Sequence, residues 1–212
     1  QILGISAHQL LVASTGVIGV QLPFERLRNQ AGALKERLRP EAIGDVAKAI
    51  MTTDTVRKVC SAEVPIRGKV VRISGMTKGA GMIPPNMATL LSFVTTDASI
   101  EKSALQTALR QAVDQSFNRV SIDGDTSTND TLVALANGMA VNVPMSGTSS
   151  AEYKLFASAL TDVCRDLAIQ VARDGEGAHK LITIRVLRAP TERDAERIAS
   201  TIATSPLVKT AI

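Results

Sequence analysis

The chain has 212 residues, with 24 Lys+Arg against 20 Asp+Glu, a net charge of +4. That length suits one substantial domain or two small ones, and so mild and dispersed a charge excess argues against a nucleic-acid footprint. Four Phe, one Tyr and no Trp exclude aromatic stacking platforms, while two His (His8, His179) and two Cys (Cys60, Cys164) leave few residues for an imidazole triad or a His/Cys zinc site.

In chain order, QLLVA (9–13) reads as a short buried strand ending in the small-residue turn STGVIG. Pro23 opens a helix, PFERLRNQAGALKERL, and Pro40 opens another, PEAIGDVAKAIM, closed by the polar MTTDT (51–55). Residues 64–74, VPIRGKVVRIS, alternate as a strand or hairpin does. A glycine-rich loop, GMTKGAGMIPP (75–85), leads into MATLLSFVTTD, whose apolar part predicts a central strand. Residues 100–119 predict an amphipathic helix, and the loop SIDGDTSTND (121–130) precedes a further apolar run, TLVALANG. Residues 150–173 predict a long helix with Leu155, Leu160, Val163, Leu167 and Val171 as its apolar positions. The turn DGEGAHK (174–180) is followed by LITIRVL, a predicted strand, and by a helix over 191–203 opened by Thr191. Strands and helices alternate without repeat or low-complexity linker, so the expected class is α/β (α+β layered), helix on sheet, with no boundary visible in composition.

No apolar run reaches the ~20 residues that span a bilayer, and no secretory signal opens the chain. Two separated cysteines make no disulfide framework, which leads us to expect a reducing compartment. The chain starts at Gln1 and stops in the apolar PLVKTAI, and both ends read as cut.

The most distinctive local feature is GAGMIPPNMATLLSFV. A flexible glycine loop is stiffened by Pro84-Pro85, and Thr89 follows at the start of an apolar strand. A rigid element holding one hydroxyl at a loop junction suits a nucleophile; the same pattern also suits a threonine that is merely a good β-former. The scarcity of imidazole favours one chemical solution. A threonine at a chain's N-terminus can use its own α-amine as base, because an α-amine with a pKa near ~7.7–8 is partly neutral at working pH. This requires cleavage of the Ala88–Thr89 bond, which the same hydroxyl can initiate by attacking the Ala88 carbonyl.

VASTGVIGVQLP, AIMTTDT, KGAGMIPPNMATLLSFVTTDA, DGDTSTNDT with LANG, and DGEGA together resemble, in order, the motifs of the ornithine acetyltransferase family. Its members are bifunctional glutamate N-acetyltransferases and amino-acid acetyltransferases of arginine biosynthesis. The resemblance covers residues 12–178 and implies the helix–sheet–sheet–helix sandwich of N-terminal-nucleophile-like enzymes. It implies that Thr89 is the nucleophile and, after self-cleavage between Ala88 and Thr89, the N-terminus of a β chain. Residues 1–88 would then close the α chain and residues 89–212 open the β chain of one catalytic core. Thr15 and Gly16 match the oxyanion-hole pair. Lys78, Glu176 and Thr52 match substrate contacts, alongside Thr89 itself, with Thr53 the neighbour that competes with Thr52. A lysine in a glycine loop can hold an amino-acid carboxylate, and a glutamate between two glycines can meet the amine of ornithine.

The same resemblance implies N-acetylornithine and glutamate as substrates and an α2β2 assembly. It implies no cofactor, with acetyl-CoA a further acetyl donor in some members. No nucleic-acid or membrane partner is implied, and the location is the cytoplasm, or the mitochondrial matrix in a fungus. GMTKGAG lacks the spacing of a nucleotide-binding P-loop. In SIDGDTSTND, Thr128 stands where a calcium loop needs Gly and Ala134 where it needs a bidentate Glu. Calcium is therefore rejected, and its carboxylates are expected to brace the loop near the active site. Two departures stand out: His179 occupies a position usually held by Thr, and the family extends on both sides of this chain, with a C-terminal Gly/Asn/Trp segment that adds substrate contacts. Other readings of the same residues are an N-terminal-nucleophile aminopeptidase or amidase and an inactive truncated fragment.

Overall fold

The structure is a computed structural model and describes residues 2–83, 90–125 and 127–212. Two early helices, α1 (Phe24–Glu36) and α2 (Ile43–Ala49), start just after Pro23 and a single-turn 3₁₀ segment at Pro40–Ala42, as the prolines predict. The sheet follows, with β1 (Lys58–Ile66), β2 (Lys69–Lys78), β3 (Leu91–Thr96) and β4 (Thr131–Ala136) adjacent in that order. Strands β1 and β2 form a hairpin closed by Arg67-Gly68, with Ile66 opposite Lys69. Both turn residues have positive φ, 45° and 78°. A two-residue hairpin turn needs that geometry to follow the strand twist, and Arg67 accepts it where Asn is the usual choice. Strand β3 pairs antiparallel with β2 and parallel with β4, so it is central, as its apolar sequence predicts.

The parallel β3–β4 pair is bridged by a crossover containing α3 (Lys102–Asp114). A 23-residue helix, α4 (Ala151–Arg173), packs with α3, β1 and β2. Alternation along the strands aims Cys60, Ala62, Val64 and Ile66 of β1 and Val71, Ile73, Gly75 and Thr77 of β2 at the helices. Buried Ala104, Ala108 and Ala112, one helical turn apart, let α3 approach closely. The buried stripe of α4 runs Tyr153, Phe156, Leu160, Val163, Cys164, Leu167, Val171. Leu155, expected in that stripe, is 52% exposed because it lies off the i, i+3, i+4, i+7 rows that contain Phe156 and Leu160. Gly75 marks the tightest approach: a Cβ there would sit 2.7 Å from Leu167 Cδ1 and 3.3 Å from Val163 Cγ1.

The α/β class therefore holds, as a sheet covered on one face by helices. The second sheet of a sandwich is not formed among the described residues. Residues 9–13 and 181–187, both expected as strands, carry no ladder. A strand exists only where its N–H and C=O groups find a neighbouring chain, and these two segments find none; Leu11 and Val12 are largely exposed, as is Leu187. The sheet face away from the helices is likewise open, with Val59, Val70 and Leu135 about half exposed. Two further helices close the chain, α5 (Glu192–Ala203), capped by Thr191 as expected, and α6 (Pro206–Ala211). No helix among the described residues is long and apolar enough to cross a membrane.

Candidate active site

The site is built at the end of β2. Lys78 is its last residue, opposite Leu91 in the ladder, and is almost wholly buried. Its Nζ donates to Thr15 Oγ1 at 3.1 Å and to Thr52 Oγ1 at 3.4 Å. Two hydroxyls separated widely in sequence thus share one ammonium. Burial disfavours the charged form of Lys78 and lowers its pKa; the carboxylates of Asp54 and Asp130 push the other way, and the Lys58 charge adds to the lowering. The hydroxyl facing Lys78 is that of Thr52, which separates it from its neighbour Thr53.

Asp54 organises this corner. Its Oδ1 accepts from Gly79 N–H at 2.7 Å and from Lys58 Nζ at 2.5 Å, and its Oδ2 accepts from Thr52 N–H at 3.1 Å. These bonds outweigh its burial and hold its carboxyl below the ordinary 3.8. Lys58 also donates to Asp174 Oδ2 at 2.5 Å, and Asp174 accepts from the Thr55 N–H at 3.0 Å and from the Thr55 hydroxyl. Desolvation raises the Asp174 pKa, but its bonds to Lys58 and Thr55 leave it lowered.

Glu176 reaches the same loop by another route. Its N–H donates to Ala80 O at 2.7 Å, and its carboxylate lies so close to Gly81 that a Cβ there would meet it at 3.1 Å. A side chain at Gly81 would be tight, and the Glu176 carboxylate would have to give way by a few tenths of an ångström. Glu176 and His179 also border a cavity of about 1120 Å³ between the end of α4 and the segment running into α5 and α6; Thr15, Gly16, Thr52 and Lys78 do not line it.

Two aspartates of the loop 121–130 reach other segments, where composition alone predicts only that they brace their own loop. Asp123 accepts from Met82 N–H at 2.5 Å and Ile83 N–H at 2.9 Å, and its pKa is lowered, these bonds outweighing burial. Asp130 accepts from Leu90 N–H at 2.8 Å; burial raises its pKa despite that bond and the nearby Lys78 charge. Ile83 and Leu90 are thus each held by an aspartate of one loop. Thr89 and Ala88, the expected nucleophile and cleavage partner, lie outside the described residues.

Of the expected oxyanion pair, Thr15 joins Lys78, whereas Gly16 is exposed and rests against Leu22, where a Cβ would be 3.2 Å from Cδ2. The turn nearby is closed by Val20 N–H to Val17 O at 3.1 Å and follows irregular backbone, not the expected strand. Sequence reasoning missed Asp54, Lys58 and Asp174. A signal existed for Lys58: carrying the alternation of β1 back from Val64 puts a lysine on the helix-facing row, where an unpaired charge cannot stay. Among the described residues, no group of three or more His, Cys, Asp or Glu is placed to hold a metal.

Fold and site together define an α/β protein that gathers a desolvated lysine and two threonine hydroxyls where a sheet strand runs into a glycine-rich loop. The ArgJ family model matches residues 1–212, and the chain belongs to that family. It is 52% identical over 210 residues to the arginine biosynthesis bifunctional protein ArgJ of Symbiobacterium thermophilum, covering 99% of this chain and 52% of that one. It is 51% identical to the protein of the same name from Desulfotalea psychrophila, covering 99% and 53%. The chain thus spans about half the length of these curated relatives. The crystal structure of the arginine biosynthesis bifunctional protein argJ of Bacillus halodurans aligns with a TM-score of 0.54 at 47% identity, over 56% of this chain and 55% of that one.

Proposed function

We propose that the enzyme carrying this chain moves the acetyl group of N-acetylornithine to glutamate through an acetyl ester on Thr89, in arginine biosynthesis. The observation that carries this reading is the convergence of Thr15 and Thr52 on Lys78, at the entrance to the loop that leads to Thr89. Self-cleavage comes first. Thr89 Oγ attacks the Ala88 carbonyl carbon, the Ala88–Thr89 amide bond breaks, and the departing nitrogen takes the proton and becomes the α-amine. Water then hydrolyses the ester, leaving an Ala88 carboxylate and a free Thr89 hydroxyl.

In transfer, the α-amine takes the Oγ proton as Oγ attacks the acetyl carbonyl of N-acetylornithine. The proton passes to the departing nitrogen, ornithine leaves, and the acetyl group stays on Oγ. The glutamate amine attacks that ester, the proton returns to Oγ, and N-acetylglutamate leaves. Thr15 and Gly16 would donate to the oxyanion, a kind of contact worth ~2.7–4 kcal/mol per donor in the transition state. Lys78 would hold a substrate carboxylate beside Thr52, and Glu176 the substrate amine. Acetyl-CoA as a second acetyl donor, the α/β division at Ala88–Thr89, the α2β2 assembly and a cytoplasmic location belong to the same reading.

The test is mass spectrometry of the enzyme at its full length. Fragments ending at Ala88 and starting at Thr89 are expected, with one acetyl group on the second fragment after brief exposure to N-acetylornithine without glutamate. Thr89→Ala should abolish cleavage and transfer. A wild-type chain that stays intact refutes the processing step, and transfer retained by the variant refutes the nucleophile. Acetylornithine consumed equally fast without glutamate would assign water as the acceptor.

A further inference from the structure

Lys58 touches none of the residues that would meet substrate, yet it sits where their segments join. It opens β1 on the helix-facing row, its side chain is 0% exposed, and its two partners, Asp54 and Asp174, are 0% and 6% exposed. Apolar residues replacing the whole cluster would fill such a place at no electrostatic cost, because buried ion pairs seldom stabilise more than a well-packed apolar replacement. An apolar residue could not, however, anchor two carboxylates whose other lone pairs are engaged elsewhere. Asp54 uses its own to fix the N–H of Thr52 and of Gly79. Asp174 uses its own to fix the N–H and hydroxyl of Thr55, and lies two residues before Glu176, whose N–H is bonded to Ala80 O. Three segments, 52–55, 78–81 and 174–176, thus converge on a single buried ammonium.

We propose that Lys58 is a positioning residue: by bridging Asp54 and Asp174 it locks the segments bearing Thr52, Lys78 and Glu176 into one frame and so sets the spacing of the substrate-binding groups. The consequence for substrate rests on the acetyltransferase reading above; the mechanical coupling does not. Loosening the frame leaves every contacting side chain present but misplaces them relative to one another, and misplacement by about an ångström can cost up to ~100-fold.

The test uses Lys58→Met and Asp174→Asn in the full-length enzyme, with steady-state kinetics and site-resolved amide exchange. Both variants should exchange the Thr52, Thr55 and Gly79 amides about tenfold or more faster than wild type. Both should raise KM for N-acetylornithine about tenfold while kcat changes less than about threefold. If Lys58→Met yields no folded protein, Asp174→Asn decides, because it leaves the Asp54–Lys58 pair in place. Unchanged exchange at Thr52 and Gly79 would show the segments to be independent and overturn the proposal. So would a KM within about twofold of wild type, including a fall in kcat alone, which is what a smaller folded fraction produces. Wild-type enzyme that transfers no acetyl group refutes the acetyltransferase reading instead, and the exchange at Thr52 and Gly79 then decides the coupling by itself.

Discussion

Gly75 tests how tightly the helical layer presses on the sheet. It lies on β2 with ordinary backbone geometry, so Gly75→Ala gains ~0.4–1 kcal/mol through the unfolded chain. Against that, the new Cβ would stand 2.7 Å from Leu167 Cδ1, where ordinary contact is 3.4–4 Å, so the methyl must yield by roughly an ångström. Leu167 is wholly buried beside Val163 and cannot move into water. Overpacking of that kind costs ~1–3 kcal/mol, so the net loss should be about 1–2 kcal/mol. Leu167→Ala alone removes a core side chain and should cost ~2–5 kcal/mol, part of it the cavity left behind. In the double variant the methyl introduced by Gly75→Ala enters that cavity, and the double variant's loss should fall short of the sum of the two single losses by about 1–2 kcal/mol. Urea unfolding of the two single variants and the double variant measures the cycle. Losses that add within ~0.5 kcal/mol would refute the claim that these atoms compete for one space.

Lys78→Met should lower kcat/KM for N-acetylornithine roughly a hundredfold, mostly through KM, as expected when a buried cation that pairs with a substrate carboxylate is lost; initial-rate kinetics check it. Asp54→Asn should cost about 3 kcal/mol in a urea titration near neutral pH, the low end for a broken buried pair because Asp174 still faces Lys58. Asp54 has a depressed folded pKa, so its contribution is present above the ordinary 3.8 and lost as pH falls through the lower folded value; the gap between wild type and variant should therefore narrow in acid. Burial first, and then Asp166, push the Cys60 thiol from 9.0 up to about 11, so native Cys60 should alkylate about a hundredfold more slowly than in urea, as read by peptide mass spectrometry.

Local signals carried most of the fold. The prolines at 23 and 40 started helices, the threonine at 191 capped one, and the apolar run after Thr89 became the central strand. The failures share one physical cause. LITIRVL and QLLVA have the composition of strands, but composition cannot supply the neighbouring chain that a ladder requires. At the site, Lys78, Thr52, Thr15 and Glu176 were legible only through whole motifs; taken singly, each is a common surface residue. The Lys58 cluster was hidden because Asp54 and Asp174 are 120 positions apart, and sequence spacing says nothing about two loops meeting over one ammonium. The bracing aspartates were visible in outline, since a loop dense in Asp, Ser and Thr must satisfy its own backbone or someone else's.

The bond proposed to break lies between β2 and β3, which are neighbours in the sheet. Ile73 to Lys78 are zipped residue by residue to Leu91 to Thr96, and Val71 and Ile73 share one apolar core with Val94, Leu160 and Val163 from beyond the cut. Scission there would release neither piece. Each piece owns one strand of the β2–β3 ladder, and the first piece also gives Val64, Ile66, Val71, Ile73 and Ile83 to a core whose larger part lies in the second, so neither can come away without losing its own structure, and for the processed protein dissociation and unfolding would be one event. Its two polypeptides should elute together at any dilution that leaves the fold intact and part only in denaturant.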